Sequence, residues 1–442
     1  MRYLYSIILY LLTPVVLLRL IRRGFSDRDY WSRWHERFGT VQLPASSRPL
    51  IWLHAVSVGE VQAALPLVQR LQSDYPHYQL LMTTVTPTGS AMVRQKCGSG
   101  VLHCYFPYDL PHVVNRFLNR VKPVVLIVLE TEIWPNLYSQ CQARGIKLIL
   151  ANARLSQKSF DGYRKIAGLT RQVLGNVDMI AAQSDDDAQR LAALGADRSR
   201  MTVTGNLKFD VRVADDVIER GRAIKRELGP ERLLWIAAST HEGEEPIVLA
   251  AHRKVIENFP DCLLVLAPRH PERAAGVREL CLRQGFTAQR VSDVRAGGRD
   301  RAPAEVQVLV LDTIGELLDY YAAADVALVG GSLLPAYGGH NVLEPAVLGV
   351  PVVTGEFTAN FKEINRLLLE MQAEFRVADS DQLEQRVSQL LADDSLRRQM
   401  GQAGASLVRQ NQGSTGRIME MLFKFLHQEN NQRVTGVGGL VT

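Results

Sequence analysis

From residue 50 onward the chain alternates short apolar runs with stretches of helical periodicity: 50–54, 79–84, 124–129, 147–151, 179–183 and 201–204. Within each run the apolar residues are continuous rather than alternating. That pattern predicts strands buried on both faces, hence a parallel sheet with helices on each side. A second series follows at 233–238, 263–267, 306–311, 326–329 and 351–354, and the charge-rich stretch 208–232 separates the two. Each block has about the size of a doubly wound domain. The expectation is therefore an α/β chain with two Rossmann-like halves facing a cleft, and with ligands at the carboxyl ends of the strands. No repeat of 20–50 residues is present, which argues against a solenoid.

Residues 3–18 form an uncharged, largely apolar run. As a helix it covers about 24 Å, against a hydrocarbon core of about 30 Å. Pro14 weakens a straight helix, so a tilted span and a monotopic insertion both suit it. Arg19, Arg22, Arg23, Arg28, Arg33 and Arg37 follow, interleaved with Phe25, Tyr30, Trp31, Trp34 and Phe38, a mixture suited to a membrane interface. The arginines predict that the body of the chain stays on the cytoplasmic side. No A-x-A-like site follows the run, which disfavours a cleaved signal peptide. The alternative is an ordinary buried first helix followed by a solvated charged one.

Composition narrows the classes. The 442 residues are 46% hydrophobic and 22% charged, as in a globular chain of two or three domains. Lys plus Arg (51) exceeds Asp plus Glu (46) by 5, and the excess sits near the N-terminus, so a nucleic-acid partner is not expected. Five cysteines without a CxxC pair are poor material for a disulfide framework or a zinc site, and point to a reducing compartment. The expected boundaries are an anchor at 1–24, a first domain at 25–210, a linker at 211–230, a second domain at 231–427 and a flexible tail at 428–442. Residues 295–301 are expected to be an exposed loop.

The candidate chemistry lies at the strand ends. The first strand runs into His54-Ala55-Val56-Ser57-Val58-Gly59-Glu60 without the glycines of a dinucleotide fingerprint, and no phosphate-binding G-x-x-x-x-G-K-[ST] motif occurs. Glu60 stands at a helix start, where an ionised carboxylate is favoured and can act as a base; helix capping alone is the alternative. The third strand ends in Glu130-Thr131-Glu132-Ile133-Trp134-Pro135-Asn136, and Gly205-Asn206-Leu207-Lys208 closes the first half. In the second half Pro268-Arg269-His270 puts a guanidinium just past a strand, suited to a phosphate, with an Arg–carboxylate pair as the alternative. Gly338-Gly339-His340-Asn341-Val342-Leu343-Glu344-Pro345 reads as a loop leading into a helix start that accepts anions. Ser184-Asp185-Asp186-Asp187 resembles a metal-binding acidic cluster but reads as an N-cap with acids in the first turn, so no metal is assigned.

These motifs together resemble the 3-deoxy-D-manno-octulosonic acid (Kdo) transferases of lipopolysaccharide assembly. Asn152-Ala153-Arg154-Leu155-Ser156 and Asp312-Thr313-Ile314-Gly315-Glu316-Leu317 also belong to the resemblance, which spans nearly the whole chain. It implies a GT-B glycosyltransferase fold and an inverting transfer of Kdo from CMP-Kdo to a lipid A precursor (lipid IVA). It also implies no metal and no cofactor beyond the donor, and a place at the cytoplasmic face of the bacterial inner membrane, in contact with its lipids. By the same resemblance Glu60 is the general base, with Glu130 and Lys208 assisting. Pro268, Arg269, Ile314, Gly315, Glu316, Asn341, Val342, Leu343 and Glu344 fall where the family binds CMP. The alternatives are a sugar-nucleotide 2-epimerase of the same fold and a non-catalytic nucleotide-binding scaffold at the membrane.

Overall fold

We describe residues 1–296 and 305–436 of a computed structural model, without the side chains of Ser26 and residues 427–436. The chain divides into two compact units, one made of residues 1–210 and 412–442 and the other of residues 211–411.

In the first unit the strands are β1 (Leu50–His54), β2 (Gln79–Thr84), β3 (Val101–Tyr105), β4 (Val125–Leu129), β5 (Lys147–Ala153), β6 (Met179–Ala182) and β7 (Met201–Val203). They form one sheet in the order β3-β2-β1-β4-β5-β6-β7, and every neighbouring pair is parallel. The continuous apolar runs explain this. In β1, Trp52 faces one apolar core, while Ile51 and Leu53 face another on the opposite side of the sheet. Both faces are therefore covered, as the run of buried residues in β1 and β4 requires.

The second unit repeats the plan with β8 (Leu234–Thr240), β9 (Leu263–Pro268), β10 (Ala288–Arg290), β11 (Val308–Val310), β12 (Val326–Val329), β13 (Val352–Gly355) and β14 (Glu374–Val377). Their order is β10-β11-β9-β8-β12-β13-β14, again all parallel. Trp235 and Ala237 point into one core, Leu234 and Ile236 into the other. Two such doubly wound units make the GT-B architecture.

The expected boundaries need correction at three places. The stretch 211–230 is not a bare linker: it contains the helix Val217–Leu228, whose Arg220 and Lys225 pair with Asp319 and Asp325 in the second unit. The second unit ends at residue 411, not 427. The terminal helix Ser414–Gly436 places Ile418, Leu422 and Leu426 in the same core of the first unit as Leu67 and Leu71. Apolar periodicity announces such a helix but not the sheet on which it packs. That helix also runs through residues 428–436, where a flexible tail was expected; 437–442 lie outside the described residues. Of the expected loop 295–301, Arg295 and Ala296 close the helix Val291–Ala296, and 297–301 lie outside the described residues.

The N-terminal run forms one helix, α1 (Arg2–Ser26), with Pro14 inside it. Among the described residues it alone is long and apolar enough to cross a membrane, and only 6% of its most apolar window is buried. Tyr3, Leu4, Ile7, Leu11, Val15 and Leu18 stand exposed, while Ser6 is buried against the first unit.

Candidate active site

In doubly wound sheets ligands bind outside the carboxyl ends of the two adjacent strands from which the chain winds in opposite directions. In the first unit the reversal lies between β1 and β4. Glu60 follows β1 and Glu130 follows β4, so the topology brings together two acids 70 positions apart in the chain.

Glu60 lies in the first turn of α2 (Val58–Asp74), capped by Ser57. Its Oε2 accepts the Val56 backbone N–H at 2.8 Å, and its Oε1 accepts the Ser57 hydroxyl at 3.0 Å. The capping role is therefore real, but it does not exhaust the group. Burial pushes its carboxyl up to about 7, against the pull of the Val56 bond; the charges of Glu130 and Glu132 raise it further. A carboxyl tuned to that range can take a proton at neutral pH.

Glu130 adopts a left-handed backbone, φ 56°, a conformation that costs a non-glycine residue about 1–2 kcal/mol. Its N–H is held by the Ala151 carbonyl at 2.9 Å. Such strain at a strand end marks a place where side-chain direction matters more than local comfort. Asn152, also left-handed at φ 56°, accepts the Leu207 N–H on its Oδ1 at 2.9 Å, which fixes the loop carrying Lys208 to the end of β5. Burial lowers the pKa of Lys208, Glu130 and Glu60 work to keep it protonated, and Arg154 opposes them. Glu60, Glu130 and Lys208 thus form one electrostatic group, joined by Glu132 and Arg154, which sequence reasoning had quoted without assigning them a role.

In the second unit the reversal lies between β8 and β12. Pro268 ends β9, and the Arg269 N–H is held by the Thr240 carbonyl at 2.9 Å. Among the described residues no carboxylate pairs with the Arg269 guanidinium. It is Arg273 that takes the structural role, bonding the buried Glu245 at 2.8 Å. The Arg269 charge acts on His241 and His340, whose Nε2 atoms lie 2.8 Å apart. Burial, with Arg269 adding, pushes His340 down to about 4. His241 also stacks on Tyr337, ring centroids 3.9 Å apart. His241 was missed from sequence because its partners lie about a hundred positions away; the signal available was its placement just past a strand.

The fully buried Glu244 opens α3 (Glu244–Asn258) and accepts the N–H groups of His241, Gly331 and Leu333 at 2.8–2.9 Å, clamping the loop after β12. Gly339 N–H reaches the Gly331 carbonyl at 2.6 Å, so the 338–341 turn folds over that loop. Gly338 and Gly339 have φ of 76° and 79°, which the turn demands. The anion-accepting helix start expected after Asn341 needs correction. That helix spans only Leu343–Val347, and Asn341 Oδ1 already accepts the Leu343 N–H at 3.1 Å, leaving little dipole to offer. Asn341 Nδ2 donates to Glu344 at 3.1 Å, and Val342 and Leu343 are buried behind them. Ile314, 82% exposed, and Gly315 (φ 91°) lie on the loop after β11; Glu316 beside them is tied to Arg295 at 2.8 Å and Thr313 at 2.7 Å. Burial would raise Glu316, and these two bonds hold it lower instead. Asp187, in the acidic cluster, bonds Ser184 and the Leu155 N–H, as the N-cap reading requires.

Comparison with known proteins decides the family. A family model described as 3-deoxy-D-manno-octulosonic-acid transferase (kdotransferase) matches residues 32–211. A 3-deoxy-D-manno-octulosonic acid transferase of Haemophilus influenzae is 38% identical over 429 residues, which cover 97% of this chain and 99% of that protein. The chain belongs to the Kdo transferase family. A Bordetella pertussis transferase of the same description is 34% identical, covering 96% of this chain and 99% of its own length. Among solved structures, UDP-GlcNAc 2-epimerase from Neisseria meningitidis bound to UDP-GlcNAc superimposes with a TM-score of 0.54, covering 85% of this chain and 100% of that one. At 13% identity it shares the fold alone. The near-full-length relatives are transferases, which decides against the epimerase alternative: this Kdo transferase family member is a glycosyltransferase.

Proposed function

We propose that this protein transfers Kdo from CMP-Kdo to a hydroxyl of a lipid A precursor at the cytoplasmic face of the inner membrane, with inversion and without a metal, Glu60 acting as the general base. The observation that carries the reading is the Glu60 carboxyl, raised to about 7 at the reversal point of the first sheet in a transferase-family chain. The acceptor oxygen attacks the anomeric carbon of Kdo while Glu60 takes its proton, and CMP departs with the bonding electrons as a phosphate monoester. Lys208, kept charged by Glu130, offsets negative charge on the donor.

In the second unit the unpaired Arg269 guanidinium and the His241–His340 pair suit the departing phosphate. The apolar face of Ile314 suits the flat cytosine ring. Attachment to the bilayer through α1 agrees with its exposed apolar side chains and with the arginines that follow.

Incubation with CMP-Kdo and the tetra-acylated precursor, followed by mass spectrometry, should yield Kdo-modified lipid and count the residues added; folded protein that gives no product refutes the reading. Arg269→Ala should raise the donor KM on the order of tenfold or more, with little effect on acceptor KM. Steady-state kinetics with each substrate varied in turn checks this. Glu130→Gln removes a negative neighbour that raises Glu60, so the acidic limb of the rate profile should move to lower pH. A limb that stays in place would separate Glu130 from the base.

A further inference from the structure

Asn136 closes the Glu130–Asn136 motif, yet the chemistry above gives it no task. It is 3% exposed and sits at the centre of a buried hydrogen-bond network. Its backbone N–H donates to Asp109 Oδ2 at 3.0 Å, and its Nδ2 donates to the Asp109 carbonyl at 2.7 Å. Asp109 Oδ1 takes the Leu137 N–H at 2.7 Å, so one carboxylate caps the helix Pro135–Ala143 that begins where the acidic loop ends.

The remaining partners of this network come from α1. The Ser6 hydroxyl reaches Asn136 Oδ1 at 3.0 Å, sharing its proton with the Arg2 carbonyl, also at 3.0 Å. The Tyr5 hydroxyl stands beside the Asp109 carboxyl, near enough for each to act on the other's proton affinity. Five residues after Tyr5, the Tyr10 hydroxyl lies 2.6 Å from His112 Nδ1, and the two rings stack. Tyr5 packs on the same apolar core as Ile133 and Trp134 of the acidic loop, and the Tyr138 hydroxyl donates to the Glu132 carbonyl.

One stripe of α1 is therefore committed to the protein, while the opposite stripe is apolar and exposed. A helix that served only as a tether needs no buried polar contact, because apolar surface alone holds it in lipid. Buried polar networks of this kind fix geometry, since each broken member leaves an unsatisfied partner.

We infer that α1 is a positioning element for the Glu130–Asn136 loop, through Tyr5 and Ser6 on the Asp109–Asn136 network, in addition to any role in holding the protein at a membrane. The inference rests on the transferase reading above. Its consequence is that catalysis depends on α1 even when the acceptor needs no membrane.

The test uses the full chain at pH 8 and an O-deacylated, water-soluble lipid A precursor, so that membrane partition drops out. The double variant Tyr5→Phe with Ser6→Ala removes both polar contacts and keeps the apolar bulk of the helix. Its kcat should fall on the order of tenfold with donor KM unchanged, and Tyr5 restored together with Ser6→Thr should recover most of the loss. An unchanged kcat on the soluble acceptor, alongside active wild-type protein, overturns the positioning role and leaves the transferase reading standing. A fall in kcat that neither restored hydroxyl recovers overturns it as well. Wild-type protein that transfers to neither the soluble nor the acylated acceptor overturns both.

Discussion

Glu60→Gln lowers turnover by about 10² to 10⁴, the range that a positioned general base contributes, while CMP binding by the second unit is unchanged. Gln can keep the Val56 N–H bond through its oxygen, with the Ser57 hydroxyl turned to accept from its amide nitrogen, and it cannot take a proton. The pH profile follows from the same carboxyl. Wild-type activity rises with pH through about 7, where Glu60 becomes ionised, and the variant loses that limb. Stability moves the other way. The folded pKa lies above the ordinary value of 4.5, so Glu60 favours the folded state below that value and gives this up as pH rises through 7. Glu60→Gln protein should therefore match or exceed wild-type melting temperature at pH 8, and the advantage should vanish toward pH 4.5. Rate measurements from pH 5 to 9, paired with thermal unfolding at both ends, check both halves; a variant retaining more than about a tenth of wild-type kcat would remove Glu60 from the role of base.

Gly355→Ala destabilises the second unit by about 3 kcal/mol or more, at the upper end of overpacking costs. A Cβ at this position would stand 2.0 Å from the Ser332 carbonyl oxygen and 2.6 Å from the Leu333 nitrogen, both backbone atoms that no rotamer change can move aside. The same residue donates its N–H to Ser332 Oγ at 2.8 Å, and Phe357 N–H bonds the Ser332 carbonyl at 2.9 Å. Ser332 lies between Gly331 and Leu333, the two residues that Glu244 clamps, and Glu244 also holds His241. Displacement therefore travels to His241, a residue proposed above to meet the departing phosphate. Thermal unfolding should show a loss of roughly 6–12 °C, given about 2–4 °C per kcal/mol for a unit of this size, and CMP titration should show weaker binding. A melting temperature within 2 °C of wild type would contradict the argument.

The central strands were legible because β1, β2 and β12 are continuous apolar runs with clear ends, and the structure starts and stops them where the sequence does. β3, β10 and β14 were not. These edge strands carry His103, Gln289, Arg290, Glu374 and Arg376, polar residues that break the apolar run; Glu374 is buried all the same, its carboxylate accepting the Thr354 hydroxyl of the next strand. The positions of Glu60, Glu130 and Arg269 just past strands could be read from order alone. Their chemistry could not, because the proton affinity of Glu60 depends on burial and on a charge delivered by another strand. Likewise the choice between a phosphate ligand and a structural pair for the 269–273 segment turned on which arginine Glu245 reaches, a matter of packing.

The return of residues 412–436 to the first unit makes the second unit an insert, entered after Asp210 and left before Gln412. Asp210 marks the junction: its two carboxylate oxygens take the N–H groups of Gly413 and Thr415 at 2.7 and 2.5 Å. During synthesis the ribosome therefore delivers the whole insert before Ile418, Leu422 and Leu426 can cover the face of the sheet beside Leu67 and Leu71. The half that begins first is the half completed last, and a nascent chain stalled before residue 412 would present that bare apolar face to chaperones.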